Sequence, residues 1–449
     1  MTPSAMSASP LPLAGVRVID LSRALSGPFC TTLLADLGAD VVKVETPGGD
    51  MIRTWGPYDH GVSLFHVATN RNKRSVALDT RSEEGRAVLR RMVQDADVLV
   101  ENFRTGVLEK IGVGPDWLAE HAPGVLLASI RGFGSVGPLK SAPCFDQVVQ
   151  GMGGLMSLTG EPGGGGEMRV GIPIADLTSG MFAALGVAAG LAGRARGSRP
   201  HRVETSLLES VLGILNLQAQ GYLSTGVIPR SVGNDHPAIS PYGMFRTADR
   251  PVNIAAGTQR QFEQLCTMLG LDELPSDERF LDAAGRLAHR QELRAELERE
   301  LTREPAAAWV AKLRAYGVPA GPVHDMAGVM ADEQVQAVEM VSTVEHPDLG
   351  TTPVLRGPLR VDGTPTAVSR PAPRLGEHSR EIMRETGISE RDIDRLIAGG
   401  VLLTAEPAAN ATEATTSTEA TNAAESSKAA DASNAIEATH ASSAREATP

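Results

Sequence analysis

Apolar runs alternate with helical patterns through the first third of the chain. The runs "GVRVIDL" (15–21), "DVVKVE" (40–45), "SVALDT" (75–80), "DVLVEN" (97–102) and "GVLLASI" (124–130) are typical of buried strands. Between them, "GPFCTTLLADLGA", "SEEGRAVLRRMVQDA" and the shorter "PDWLAEHAP" show the spacing of helices. Strands that alternate with helices predict a parallel, doubly wound, Rossmann-like α/β sheet.

The pattern changes near residue 225 and predicts a second, smaller domain. We expect a disordered N-terminus (1–11), a large α/β domain (12–224), a small α+β domain (225–325) and a segment that returns to the large domain (326–403). In the small domain, "GMFRTADRPVNIAAG" predicts a hairpin that turns near Asp249 and Arg250. Residues 404–449 are Ala, Thr, Ser and Glu with almost no large apolar residue, which predicts a disordered tail.

A helix of small residues follows a short β-branched run in "VGIPIADLTSGMFAALG" (170–186). Asp176 stands where this helix starts. Asp is a preferred N-cap residue, so one interpretation is a helix cap, and the other is a reactive carboxylate held at a helix end. The apolar stretch 177–193 is short and rich in Gly and Ala, which favours an interior helix over a membrane span.

Composition narrows the class of protein. The 449 residues are 42% hydrophobic and 21% charged, with a formal net charge of −12 to which the tail contributes heavily. The remainder is only mildly acidic, so nothing indicates a nucleic-acid surface. Three distant cysteines predict neither a disulfide framework nor a zinc site and fit a reducing cytoplasm. The first residues lack the pattern of a secretory signal.

Cations follow the ends of several predicted strands. Arg81 follows the third strand, "ENFR" (101–104) ends the fourth with Lys110 shortly after it, and Arg131 and Phe133 follow the fifth. Ligands of open α/β sheets bind outside the carboxyl ends of the strands. These residues suit a nucleotide-like anion, with phosphates on Arg and Lys and a base against Phe. The alternative is that they are solvated loop charges.

Several familiar sites are missing. "SRALSGPF" after the first strand is not the GxGxxG of a dinucleotide site, and "GEPGGGGEM" (160–168) lacks the Lys-Ser or Lys-Thr of a P-loop. The consecutive glycines at 163–166 predict a mobile loop that gates a site. His236, His346 and His378 are isolated, so the spacing predicts no metal site.

Together, six motifs resemble class III CoA-transferases, the family that includes formyl-CoA:oxalate and carnitine CoA-transferases and 2-methylacyl-CoA racemase. The resemblance covers residues 12–400 and is carried by "PLAGVRVIDLSRALSGPF", "LGADVVKVETPGGDMIR", "NRNKRSVALD", "ADVLVENFRTGVLEKIG", "LLASIRGFG" and "VGIPIADLTSGMFAALG".

The resemblance implies an aspartate nucleophile at Asp176 and a coenzyme A thioester as substrate, with no tightly bound cofactor and no metal. It implies CoA contacts at Leu25, Ser26, Leu78, Arg81, Asn102, Phe103, Arg104, Lys110, Arg131 and Phe133. It also implies a homodimer of two interlocked chains. CoA would move between carboxylic acids through covalent aspartyl intermediates, and a dicarboxylate such as succinate is a candidate donor or acceptor.

Two departures from the family pattern bear on the reaction. The glycine run that some members place over oxalate is reduced in "SVGNDHPAISPYG" to Gly233 and Gly243, which disfavours oxalate as the acceptor. Phe145 stands where the racemase branch has a histidine, which disfavours proton exchange at Cα. The alternatives are a racemase that uses Asp176 as its base, with His236 as a replacement partner, and a CoA-binding protein without catalysis.

Overall fold

A computed structural model describes residues 11–162 and 166–405. Its main feature is a seven-stranded sheet. From one edge to the other, the strands are Leu402–Leu403, Lys73–Leu78, Asp40–Glu45, Arg17–Asp20, Val98–Glu101, Leu126–Arg131 and Arg202–Ser206. All neighbours pair in parallel except the short edge strand Leu402–Leu403, which is antiparallel to Lys73–Leu78. The predicted parallel α/β sheet is confirmed.

Both faces of this sheet are covered, because successive side chains of each strand point to opposite sides. Val18 packs in one apolar cluster with the helices Ser26–Asp36 and Ile174–Arg194, whereas Ile19 packs in a second cluster with the helices Glu83–Gln94 and Glu390–Ala398. Burial on both faces explains why the strands read as continuous apolar runs.

A separate three-stranded antiparallel sheet contains Tyr242–Phe245, Val252–Ala255 and Ala320–Pro322. The predicted hairpin through Asp249 and Arg250 joins its first two strands. This sheet has its own apolar cluster, built with the helices Gln259–Leu269, Arg290–Leu301 and Ala306–Ala315. The domain boundaries stay a prediction.

The remaining elements complete the described chain. The other helices are Leu64–Asn70, Val107–Lys110, Pro115–His121, Asp146–Met152, Leu207–Thr225, Ala283–Ala288, Met326–Ala331, Glu333–Ala337 and Ser379–Glu385, with 3-10 turns at Met51–Thr54, Met156–Leu158 and Leu274–Ser276. Short antiparallel pairs join Tyr58–Asp59 to Val62–Ser63, Val341–His346 to Gly350–Leu355, and Arg360–Val361 to Thr364–Pro365.

The helix Ile174–Arg194 needs its small residues because other backbone and side-chain atoms lie close to it. A Cβ on Gly180 would lie 2.6 Å from the carbonyl oxygen of Ser26, and one on Gly186 would lie 2.4 Å from Val203. By length and composition this helix is also the one in the described residues that could cross a membrane. Its glycine face packs against the helix Ser26–Asp36 and the strand Arg202–Ser206, as expected of an interior helix.

The order of the strands reverses direction beside the first strand. Asp40–Glu45 lies on one side of Arg17–Asp20, and Val98–Glu101 lies on the other. The loops that leave the carboxyl ends of the first and fourth strands therefore diverge. Such a switch point forms the crevice in which open α/β sheets bind ligands.

Candidate active site

A cavity of about 790 Å³ opens at this switch point. Its walls come from the loops after the first, fourth and fifth strands, from the turn Met51–Thr54 and from the start of the helix Ile174–Arg194. The cavity brings together most of the site residues predicted from the sequence: Leu25, Ser26, Asn102, Phe103, Arg104, Arg131, Phe133 and Asp176.

Three predicted contact residues do not line this cavity. Leu78 is fully buried in the core, and its carbonyl accepts a hydrogen bond from the Thr80 N–H at 3.0 Å. Arg81 is exposed and forms a salt bridge with Asp79 at 2.8 Å, and Lys110 is exposed at the end of the short helix Val107–Lys110. A role for these residues in binding stays a prediction.

Asn102 joins the loops after the first and fourth strands. Its side-chain oxygen accepts a hydrogen bond from the backbone N–H of Arg23 at 2.8 Å, and its side-chain nitrogen donates to the Arg23 carbonyl at 2.7 Å. The same nitrogen lies 3.4 Å from the Ser26 hydroxyl. Asn102 therefore holds the edge of the cavity on which Leu25 and Ser26 lie.

Asp176 lies in the first turn of its helix, which begins at Ile174 after Pro173. The cap is supplied from elsewhere in the chain: Asp146 Oδ1 accepts hydrogen bonds from the backbone N–H groups of Ala175 at 2.8 Å and Asp176 at 3.3 Å. The interpretation of Asp176 as the helix cap is therefore wrong. Because Asp146 occupies the N–H groups, the Asp176 side chain is left free to line the cavity.

Gln150 holds Asp146 and the approach to this helix. Its side-chain nitrogen donates to Asp146 Oδ2 at 2.6 Å and to the Ile172 carbonyl at 3.3 Å, and its oxygen accepts from the Val170 N–H at 2.9 Å. Gln150 is fully buried, so these hydrogen bonds are not exchanged with water. They give the start of the helix a defined position.

The environment of Asp176 disfavours its charged form. Burial, and then the negative charge of Asp146, raise the pKa of Asp176 to about 7, and the Ser26 hydroxyl acts on this pKa in the opposite direction. A carboxyl group with this pKa is divided between its acid and its carboxylate near neutral pH. Perturbed titration in a cavity is typical of a reactive group.

Cys144 lines the same cavity, but its surroundings disfavour the reactive thiolate. Burial, followed by the charges of Asp176 and Asp146, raises its pKa to about 11. The thiolate is the reactive form of cysteine, and at neutral pH this thiol stays protonated. The neighbouring Phe145, which also lines the cavity, has no proton to exchange.

Several cations line the cavity. Arg131 donates to the Phe103 carbonyl at 3.1 Å and pairs with Glu101 at 3.4 Å. In the described parts of the chain, no carboxylate lies within 4.0 Å of the charged groups of Arg23, Arg104, Lys140 or Arg169. The cavity therefore offers unneutralised positive charge to an anionic ligand.

Sequence reasoning missed the other side of this site. Met51, Trp55, Phe65, Lys140, Asp146 and Arg169 all line the cavity. The spacing of Asp146 and Gln150, one helical turn apart in "DQVVQG", was a signal for a shared hydrogen bond. The predicted gating loop lies outside the described residues at positions 163–165. Among the described residues, no group of His, Cys, Asp and Glu has a metal-binding arrangement.

Comparisons with known proteins identify the family to which the chain is similar. Residues 13–379 match the model of CoA-transferase family III. The chain is similar to the succinate–glutarate CoA-transferase of Agrobacterium fabrum, with 38% identity over 85% of this chain and 97% of the relative. It is 37% identical to the acetyl-CoA:oxalate CoA-transferase of Acetobacter aceti, over 84% of this chain and 97% of the relative.

A solved structure is also similar. The crystal structure of a CAIB/BAIF family protein from Brucella suis matches with a TM-score of 0.75 and 38% identity. The match covers 84% of this chain and all of the other chain.

Proposed function

This chain belongs to CoA-transferase family III, and from that premise we propose that it moves CoA between carboxylic acids through covalent intermediates on Asp176. The CoA thioester is a substrate, and the proposal includes no tightly bound cofactor. We further propose that one of the acids is a dicarboxylate such as succinate. Relatives named for succinate, glutarate and mesaconate support this substrate class.

In the proposed first half-reaction, a carboxylate oxygen of Asp176 attacks the thioester carbonyl of the donor. The C–S bond breaks, CoA leaves as its thiolate, and an anhydride joins Asp176 to the donor acyl group. The thiolate then attacks the aspartyl carbonyl, which releases the donor acid and leaves CoA bound to Asp176 as a thioester. Dividing the transfer into these steps retains the energy of the thioester.

The second half-reaction reverses these steps with a new acid. The acceptor carboxylate attacks the aspartyl thioester, the CoA thiolate leaves again, and an anhydride forms between Asp176 and the acceptor. The thiolate attacks the acceptor carbonyl, which yields the new acyl-CoA and restores the Asp176 carboxylate. No proton is gained or lost overall, so the proposed reaction needs neither a general acid nor an external source of energy.

The observation that supports this proposal most is the position and environment of Asp176. It lines the cavity, Asp146 occupies the N–H groups at its helix end, and burial raises its pKa to about 7. A more basic carboxylate is a stronger nucleophile, and weak solvation leaves it more reactive. The Ser26 hydroxyl, which stabilises the carboxylate, keeps part of it ionised at neutral pH.

For CoA itself, we propose that the cations of the cavity receive its phosphates. Arg104 and Arg131 line the cavity, and Phe103 and Phe133 offer aromatic surface to the adenine. The resemblance adds Leu78, Arg81 and Lys110, which would have to contact a part of CoA that extends beyond the cavity.

We also propose that the chain works as a homodimer. Five large apolar side chains, each more than 60% exposed, lie on or near two long helices: Leu185, Leu217, Leu223, Val227 and Ile228. Apolar surface of this extent is typical of a face that packs against another chain. Interlocking of the two chains follows from the resemblance alone. Size-exclusion chromatography with light scattering tests the dimer.

The cytoplasm is the proposed location, without nucleic-acid or membrane partners. The mildly acidic body and the free thiols of Cys30, Cys144 and Cys266 support it. Fractionation of cells that express the protein, with a cytoplasmic marker, tests the location. Recovery in the membrane fraction would contradict it.

Trapping of the intermediate tests the role of Asp176. The enzyme is incubated with succinyl-CoA and treated with hydroxylamine or borohydride, and the modified peptide is mapped by mass spectrometry. We expect modification at Asp176 and none in Asp176→Asn, with Asp116→Asn, an exposed acid outside the cavity, as the matched control. Modification at another residue, or full activity of Asp176→Asn, would overturn the proposal.

The racemase alternative is tested separately. Racemisation needs a second proton-exchanging group, and Phe145 cannot act as one. His236 lines a different cavity, where its ring lies 4.9 Å from that of Tyr242. Incubation with a 2-methylacyl-CoA in deuterated water should give CoA transfer to an added acid without deuterium at Cα. Exchange at a rate comparable to transfer would favour the racemase.

A further inference from the structure

The loop that carries Leu25 and Ser26 is hydrogen-bonded to side chains from other parts of the chain. The Ser22 carbonyl accepts a hydrogen bond from Lys43 Nζ at 3.0 Å, and the Ala24 N–H donates to Asp50 Oδ1 at 3.0 Å. Arg23, between them, is held by Asn102. Consecutive backbone groups of this loop are therefore each bound to a side chain from another part of the chain.

Ala24 adopts a conformation that needs such support. Its φ of +59° lies in the left-handed region, which residues other than glycine adopt at a cost in energy. A strained backbone persists only where its surroundings determine it. Here Asp50 holds the N–H of Ala24, and Lys43 holds the carbonyl two residues earlier.

Lys43 and Asp50 form a buried ion pair, which we call the clamp. Their charged atoms are 2.9 Å apart, and their side chains are 0% and 1% exposed. Asp50 Oδ1 also accepts from the N–H of Ile52 at 3.2 Å, at the start of the turn Met51–Thr54. The clamp thus joins two segments that line the cavity, the Ser26 loop and the Met51 turn.

Stability alone does not account for the clamp. Removing two charges from water costs about as much as their attraction returns, and apolar pairs of similar volume are often equally stable. The clamp is also part of a larger buried set. Asp20 and Glu45 act on Lys43, Lys73 pairs with Asp20 at 3.1 Å, and Arg53 and His66 lie beside Glu45. Unlike apolar packing, an ion pair is directional, because its hydrogen bonds fix the positions of particular atoms.

Ser26 and Asp176 line the same cavity, and the Ser26 carbonyl packs against Gly180, one turn after Asp176 on its helix. We propose that the Lys43–Asp50 clamp positions Ser26 beside the Asp176 carboxylate by holding the loop in its left-handed turn. Lys43 and Asp50 are positioning residues: neither lines the cavity, and both act through Ser26. This inference rests on the proposed role of Asp176 as the nucleophile. It predicts that loss of the clamp has the same kinetic signature as loss of the Ser26 hydroxyl.

The test replaces both charges at once, so that no unpaired charge stays buried. In Lys43→Met/Asp50→Leu we expect kcat for transfer from succinyl-CoA to glutarate to fall at least about tenfold, because small displacements of reacting groups are costly. The acid limb of kcat/KM should move to higher pH, as in Ser26→Ala, since both changes remove support for the carboxylate. Adding Ser26→Ala to the clamp variant should then cause little further loss.

The matched control is Arg71→Met/Asp36→Leu, which removes an ion pair that is similarly buried but makes no hydrogen bond to the Ser26 loop or to the Met51 turn. It should leave kcat and the pH profile unchanged. Equal loss of activity in the control, or additive losses when Ser26→Ala joins the clamp variant, would show a general structural effect and overturn the inference.

If Lys43→Met/Asp50→Leu does not fold, Lys43→Met/Asp50→Asn decides the question. It removes the ion pair and the hydrogen bond from Lys43 to the Ser22 carbonyl, while the asparagine oxygen keeps the bond to the Ala24 N–H. A fall in kcat with the same movement of the acid limb supports the clamp, and an unchanged profile overturns it. Trapping on the wild-type enzyme separates the two hypotheses. If Asp176 is not modified, the proposal that it is the nucleophile is overturned. If Asp176 is modified normally and the clamp variants keep the wild-type kcat and pH profile, only the inference about the clamp is overturned.

Discussion

The seven-stranded and the three-stranded sheets are stabilised by different kinds of core. Beneath the cavity of the seven-stranded sheet, fully buried charges such as Lys43, Lys73 and Asp20 lie among the apolar side chains. The cluster of the three-stranded sheet consists of residues such as Phe262 and Phe280.

In the region of the three-stranded sheet, buried charged side chains bind backbone groups next to the ends of a strand. Arg286 donates to the Ser240 carbonyl at 3.1 Å, and Glu298 accepts from the N–H of Arg246 at 3.0 Å. Apolar packing is non-directional and supplies most of the stability of a fold, whereas a buried hydrogen-bonded charge fixes where particular atoms lie. The difference indicates that fully buried, directional interactions are concentrated beneath the candidate active site.

The largest expected effect is on the chemistry at Asp176. Replacement by Asn keeps the size of the side chain and removes the carboxylate that we propose as the nucleophile. Transfer from succinyl-CoA to glutarate should fall by a factor of about 10³ or more, since binding cannot replace a covalent route. Steady-state kinetics measure this loss, and a residual rate within tenfold of wild type would contradict it.

The next effect tests the apolar core of the three-stranded sheet. Phe262 is fully buried, with the Arg286 guanidinium 4.5 Å above its ring. Phe262→Ala should lower the free energy of unfolding by about 3–5 kcal/mol through the cavity it leaves. Denaturant titration measures this, with the exposed Thr267→Ala on the same helix as control. The pH profile of transfer should not move, and movement would show that this core also tunes the site.

A smaller effect, on the affinity for CoA, distinguishes the cations that line the cavity from those that do not. Arg104→Gln should weaken CoA binding by about 1–3 kcal/mol, the range for a hydrogen bond to a charged group. Isothermal titration of CoA measures it. Arg81→Gln and Lys110→Gln are the comparison, because the family resemblance predicts contacts that the cavity does not include. If these variants weaken binding as much as Arg104→Gln, CoA extends beyond the cavity.

The smallest expected effect is a shift of the pH profile in Asp146→Asn. Asp146 raises the pKa of Asp176 to about 7 together with burial, so removing its charge lowers that pKa. The acid limb of kcat/KM should therefore move to lower pH, by about one unit or less since burial is the larger cause.

In Asp146→Asn the new side chain keeps the oxygen that caps the helix, but its amide nitrogen cannot accept from Gln150, which costs about 1 kcal/mol. Asp116→Asn is the control. A shift to higher pH, or no shift, would show that Asp146 does not act on Asp176 through its charge.

Much of the fold was predictable because local pattern decides it. The apolar runs that end near Asp20, Glu45, Leu78 and Glu101 became neighbouring strands, and alternation of strands with helices restricts the sheet to a parallel arrangement. The same logic brought Asn102, Arg104 and Arg131 to one edge of the sheet. The short antiparallel strand Leu402–Leu403 was not predicted, because two residues carry no periodic signal.

The sequence by itself determined which segments form the strands of the parallel sheet, the helix that contains Asp176 and the family motifs that single out this carboxylate. Only the tertiary structure decided that Asp146, thirty residues earlier, caps that helix and that Lys43 and Asp50 hold the loop of Ser26. The physical reason is the range of each interaction. Periodicity records which face of an element is buried, whereas a hydrogen bond between distant segments depends on where folding brings their atoms.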